Sequence, residues 1–70
     1  MIWLVKDETS HQIISCNIYK PTDGQYELWV TRPNSKSLKI HESTNKEEVM
    51  EIKEAIDFAI EHKEPVLRLT

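Results

Sequence analysis

Up to residue 42 the apolar residues alternate with polar ones, and beyond it they recur every three and four positions. The first spacing is that of pleated strands and the second that of an amphipathic helix. Residues 2–5 (Ile2, Trp3, Leu4, Val5) are apolar on both faces, as in a strand covered on both sides or lying at an interface. Asp7, Glu8, Thr9 and Ser10 read as a polar turn. Residues 11–20 read as a second strand, with Ile14, Cys16 and Ile18 on one face and Ser15, Asn17 and Tyr19 on the other. Pro21-Thr22-Asp23-Gly24 is the strongest turn signal, because proline presets one φ angle and Asp-Gly tolerates positive φ. Residues 25–32 form a third strand, with Tyr26, Leu28 and Val30 facing one way and Glu27, Trp29 and Thr31 the other. Pro33, Asn34, Ser35 and Lys36 make the next turn. Residues 37–42 are a short fourth strand with Leu38 and Ile40 inward.

The helical segment opens on a capping-box spacing, Thr44 with Glu47 or Asn45 with Glu48. Val49, Ile52, Ala55, Ile56, Ala59 and Ile60 then make one apolar stripe at about 100° per residue. Glu47 and Glu48 suit the positive end of the helix dipole, and His62 and Lys63 the negative end. Pro65 stops the helix. Residues 66–70 form either a short fifth strand or a packed tail, with Leu67 and Leu69 on one face. Short loops favour hairpins between neighbouring strands. The expectation is therefore one α+β domain over residues 1–70. It is a four-stranded antiparallel meander followed by one amphipathic helix packed on one face.

Composition narrows the picture. At 70 residues the core is thin, since a chain this short buries only about 60% of the surface that its unfolded form exposes. Hydrophobic residues at 39% and charged residues at 30% suit a folded domain. Cys16 is the only cysteine, so no internal disulfide forms, and a lone thiol fits a reducing compartment. No apolar run approaches the ~20 residues of a membrane span, and the expected location is cytoplasmic. The net charge of −3 is uneven. Residues 1–42 balance, so all of the excess acid lies in residues 43–70. This argues against strong nonspecific binding to duplex nucleic acid, which depends on neutralised phosphates.

Two surfaces stand out. On the helix side away from the stripe lie Glu47, Glu51, Glu54, Asp57 and Glu61, with Phe58 in their midst and Met50 near one edge. An aromatic anchor ringed by carboxylates suits a protein partner, and Glu47, Glu51, Glu54, Phe58 and Glu61 are the candidate contact residues. An acidic stripe could equally mimic a nucleic-acid backbone and occupy a basic groove. The bland alternative is a solvated face with Phe58 covered by the C-terminal tail. The second surface is the sheet side away from the helix, displaying Tyr19 and Trp29 with Ile13 beside them. Trp3 joins them if Ile2 and Leu4 face the helix. Arg32, Lys36 and Lys39 lie near the same side. Aromatic rings with basic neighbours can stack unpaired bases. Large aromatics on a one-layer sheet usually need a cover, however, and a homodimer through this face or the tail would supply it.

The chemistry of catalysis is missing from the pattern. His11, His41 and His62 are scattered and have no cysteine partner, so no zinc-type spacing exists. The single glycine sits in a turn and cannot build a phosphate-cradling loop. Carboxylates on an open helix face have nothing to raise their pKa values or exclude water. The expectation is a non-enzymatic interaction module without metal or cofactor. Its partner is a protein or a second copy, with single-stranded nucleic acid as the alternative.

Leu38-Lys39-Ile40, followed by a polar cap and a helix, resembles the last strand and helix of small single-stranded-DNA-binding coactivator domains. The order of strands then helix is also similar to that of small phage-encoded inhibitor proteins. The resemblance covers less than half of the chain and is one of layout. It implies a nucleic-acid-binding sheet, but those domains carry a basic sheet, whereas residues 1–42 here are neutral.

Overall fold

Residues 1–20 and 24–69 are described by a computed structural model. The chain starts as a tight hairpin, β1 (Ile2–Lys6) against β2 (Thr9–Ile13), with Lys6 opposite Thr9. Asp7 and Glu8 form the loop with φ of 51° and 67°. Two successive positive φ angles characterise the type I′ turn, whose twist matches that of the flanking strands. The expected four-residue turn is thereby shortened, and Thr9 and Ser10 join the ladder.

β3 (Ser15–Tyr19), β4 (Tyr26–Thr31) and β5 (Leu38–Ser43) follow as an antiparallel set. The helix α1 (Lys46–Glu61) leads to β6 (Val66–Arg68), which runs parallel to β1 with Leu67 opposite Leu4. Among the described residues the fold is α+β with one helix and two three-stranded sheets, ordered β2-β1-β6 and β3-β4-β5. This corrects the single four-stranded meander. Residues 11–20 are not one strand, because the chain bends at Ile14 and passes from one sheet into the other. The Ile14 N–H donates to the Thr31 carbonyl at 2.9 Å. Ile13 and Cys16, three positions apart, are both buried, and Ile14 is 43% exposed. The faces expected of Ile13 and Ile14 are thus exchanged. At the other end of the third strand Gly24 has a φ of 88°. The first three residues of its turn lie outside the described set.

Asn45 caps α1, its side-chain oxygen accepting from the N–H groups of Glu47 at 3.0 Å and Glu48 at 3.4 Å. The reciprocal half of the capping box runs through Ser43. Its hydroxyl accepts from the Asn45 N–H at 3.0 Å and donates to Glu48 Oε2 at 3.0 Å. His41 Nε2 meets the other Glu48 oxygen at 2.9 Å. The Ser43 and His41 hydrogen bonds hold the Glu48 carboxyl below the usual range, because both favour its charged form. At the far end His62 is the C-cap and Lys63 has a φ of 56°. The Lys63 N–H donates to Ile60 at 3.1 Å and the Glu64 N–H to Ala59 at 2.9 Å. These bonds make a Schellman motif with lysine where glycine is usual.

The helix lies on β3, β4 and β5 and touches β6. Val49, Ile56 and Ala59 are buried against Ile2, Leu4, Ile13, Cys16, Leu28, Val30 and Ile40, with Ile52 and Ile60 packed alongside. Ala55, expected in the stripe, is exposed instead. It lies about 100° around the helix from Ile56, at the margin of the buried arc.

Candidate functional site

Turning Val49, Ile52, Ile56 and Ala59 inward fixes the opposite side of α1. Met50, Glu54, Phe58 and His62 follow one another at i,i+4 spacing and form an outer ridge. Glu47 and Glu51 flank its first half, and Glu61 lies one turn beyond Phe58. Phe58 is 56% exposed and Met50 39%. The tail does not cover Phe58, because β6 is taken up by β1 in the other sheet. The Phe58 ring stacks on His62 with centroids 4.0 Å apart and planes at 32°. Glu47, Met50, Glu51 and Glu54 line a depression of about 230 Å³ on the first half of the ridge.

The charges divide sharply. Asp7, Glu27, Glu42, Glu48 and Asp57 each have a cationic or imidazole partner. Among the described residues, the Glu47, Glu51, Glu54 and Glu61 carboxylates have no ion-pair partner. They are like charges at neighbouring helix positions and slightly disfavour the isolated helix. Asp57 differs from the four. Expected on the outer face, it turns to the flank over β3, where Oδ1 accepts from the Cys16 thiol at 3.2 Å and Oδ2 pairs with Lys53. Burial, then the hydrogen bond to Asp57, pushes the Cys16 thiol up to about 12, so it is protonated at neutral pH. The same carboxylate holds the Lys53 ammonium above its ordinary range.

The outer face of β3-β4-β5 brings Tyr19, Trp29 and Lys39 together. Tyr19 is 67% exposed. Trp29 is half-buried, and its indole N–H donates to Glu27 Oε1 at 3.0 Å. Lys39 stands opposite Trp29 between Glu42 Oε2 at 3.1 Å and Glu27 Oε2 at 3.5 Å. The Glu42 hydrogen bond, aided by the Glu27 charge, keeps its ammonium above the usual range. Arg32 Nε donates to the Lys36 carbonyl at 2.9 Å and braces the loop before β5, and Lys36 itself is exposed. Trp3 is outward and 47% exposed, but it belongs to the other sheet and does not join Tyr19 and Trp29. It lines a cleft of about 290 Å³ with His11, Gln12, Arg32 and Asn34.

Two clusters escape sequence reasoning. They are the His41–Glu48–Ser43 brace and the Cys16–Asp57–Lys53 set. Only the i,i+4 spacing of Lys53 and Asp57 was available as a signal. Among the described residues, no three His, Cys, Asp or Glu side chains are grouped so as to hold a metal ion. No helix among them is long and apolar enough to cross a membrane. No family model, curated protein or solved structure matches the chain.

Proposed function

We propose that the protein is a non-enzymatic interaction module that presents the outer face of α1 to a basic protein partner. The observation that carries this reading is Phe58, an aromatic ring held open to solvent amid four unpaired carboxylates. Such a ring is an anchor for a desolvated contact, and the carboxylates give it a charged rim that selects and steers a cationic surface. The arrangement suits a protein that occupies a nucleic-acid-binding groove as an inhibitor. Changing Phe58→Ala together with Glu54→Lys abolishes capture of the partner from the native host while the fold, read by circular dichroism, is kept. Undiminished capture by the folded double variant contradicts the reading.

The alternative, single-stranded nucleic acid on the sheet, has Tyr19 in its favour. Against it stand the two carboxylates that already satisfy Lys39 and the Glu27 contact that holds Trp29 in place. Titration with a mixed-sequence oligonucleotide at low salt is expected to leave tryptophan fluorescence unquenched. Saturable quenching that is lost in Trp29→Ala reverses the preference.

A further inference from the structure

Every open sheet has edges, and an edge strand is a row of backbone donors and acceptors awaiting another strand unless something blocks it. Among the described residues the four edges are β2, β6, β3 and β5. β5 carries a register shift opposite Leu28/Trp29 together with Lys39, His41 and Glu42. The β2 and β5 sides share a cleft of about 180 Å³ lined by Thr9 and His11 on one wall and Leu38, Lys39 and Ile40 on the other. β6 is only three residues long, follows Pro65 and contains Arg68. β3 has none of these devices. Its residues Ser15, Cys16, Asn17, Ile18 and Tyr19 include no charge, no proline and no glycine.

We propose that β3 is a self-association edge, and that two copies of this chain pair β3 against β3 antiparallel with Asn17 facing its counterpart. The occupant is a second copy because of charge. An uncharged strand meets itself without repulsion although each chain carries −3. The helix flank above it is also self-complementary. Cys16 bonds Asp57 at 3.2 Å, which places the Lys53–Asp57 side of α1 over β3. A two-fold axis normal to the sheet lays the two helices side by side and antiparallel along that flank. Lys53 of one copy then faces Asp57 of the other, and the two acidic ridges both point away from the joined sheet, on the same side of it. The side-chain alternation limits the register, and centring it on Asn17, the middle residue of β3, pairs all five residues. Pairs must share a face, so Asn17 opposite Asn17 puts Ser15 opposite Tyr19 outside and Cys16 opposite Ile18 inside. The result joins two three-stranded sheets into one of six strands. It goes beyond the acidic-face reading and stands without it.

Sedimentation of the full chain from micromolar to millimolar concentration tests this, with Asn17→Lys and Asn17→Glu prepared separately and as an equimolar mixture. The wild type is expected to reach dimer mass. Each variant, still folded by circular dichroism, associates roughly tenfold or more weakly, because like charges meet at the axis. The mixture restores the dimer, since lysine then faces glutamate, and only a contact of residue 17 with itself gives that rescue. A wild type that stays monomeric throughout overturns the proposal. So does a dimer unaffected by either charge, and so does failure of the mixture to rescue.

Discussion

Phe58 and Ile56 are two positions apart on one helix and meet opposite environments. Ile56 is fully buried, so Ile56→Ala removes core contacts and leaves a cavity, costing about 2–5 kcal/mol. Phe58 is more than half exposed, and Phe58→Ala is expected to cost under ~1 kcal/mol by urea unfolding. A loss of several kcal/mol at Phe58 would mean a structural ring and would remove the anchor from the proposed interface. Cys16 is quieter than a lone thiol suggests. Buried and bonded to Asp57, it is expected to resist a thiol reagent at neutral pH in the native state and to react fully in denaturant. Its thiol is raised on folding, so its contribution to stability is complete below the unfolded thiol range and is lost as pH climbs toward about 12. Glu48 has the opposite sign. Its carboxyl is lowered on folding, so its contribution is present above the ordinary carboxylate range and disappears as pH falls through it. Glu48→Gln should therefore lower the melting temperature at neutral pH, and the gap should close in acid.

Among the elements, the most readable from sequence was α1. Its stripe, its Asn45 cap and its stop before Pro65 follow from spacing and capping chemistry that act within a few residues. The strands were readable as segments and less so as partners. Nothing local to residues 11–20 announces that the alternation changes phase at Ile14, because that bend comes from membership of two sheets. Alternation alone therefore puts Ile13 and Ile14 on the wrong faces, and the inward turn of Ile2 and Leu4 does not bring Trp3 to rings that belong to the other sheet. Asp57 leaves the outer face for a similar reason, since only the packed structure brings Cys16 beneath it. The positive φ angles at Glu8 and Lys63 were also hidden, because neither residue advertises a left-handed backbone. Both positions should accept glycine. Glu8→Gly and Lys63→Gly are each expected to raise stability by about 0.5–1 kcal/mol in denaturant unfolding. Asn45→Ala, which removes the cap, is expected to cost about 1 kcal/mol.

On the scale of the whole molecule, the distribution of charge separates structure from presentation. Two of the cations hold elements of the fold together. Lys39 ties β4 to β5, and Lys53 fixes Asp57 over Cys16. Four of the carboxylates without an ion pair, Glu47, Glu51, Glu54 and Glu61, share one helix face with Phe58. That division was half legible in the sequence, where the acidic excess of residues 43–70 was plain and its partners were not. Under the proposed reading, association with a cationic partner should slow as salt is raised while stability changes little.

Site-specific photocrosslinking in the native host shows whether the ring at position 58 meets a partner. A benzophenone side chain is placed at position 58 of the full chain, with position 12 on β2 as the comparison. A discrete protein adduct is expected from position 58, weakening as salt is raised, and none from position 12. Adducts from position 12 alone, or the same adducts from both positions, would contradict the proposed interface.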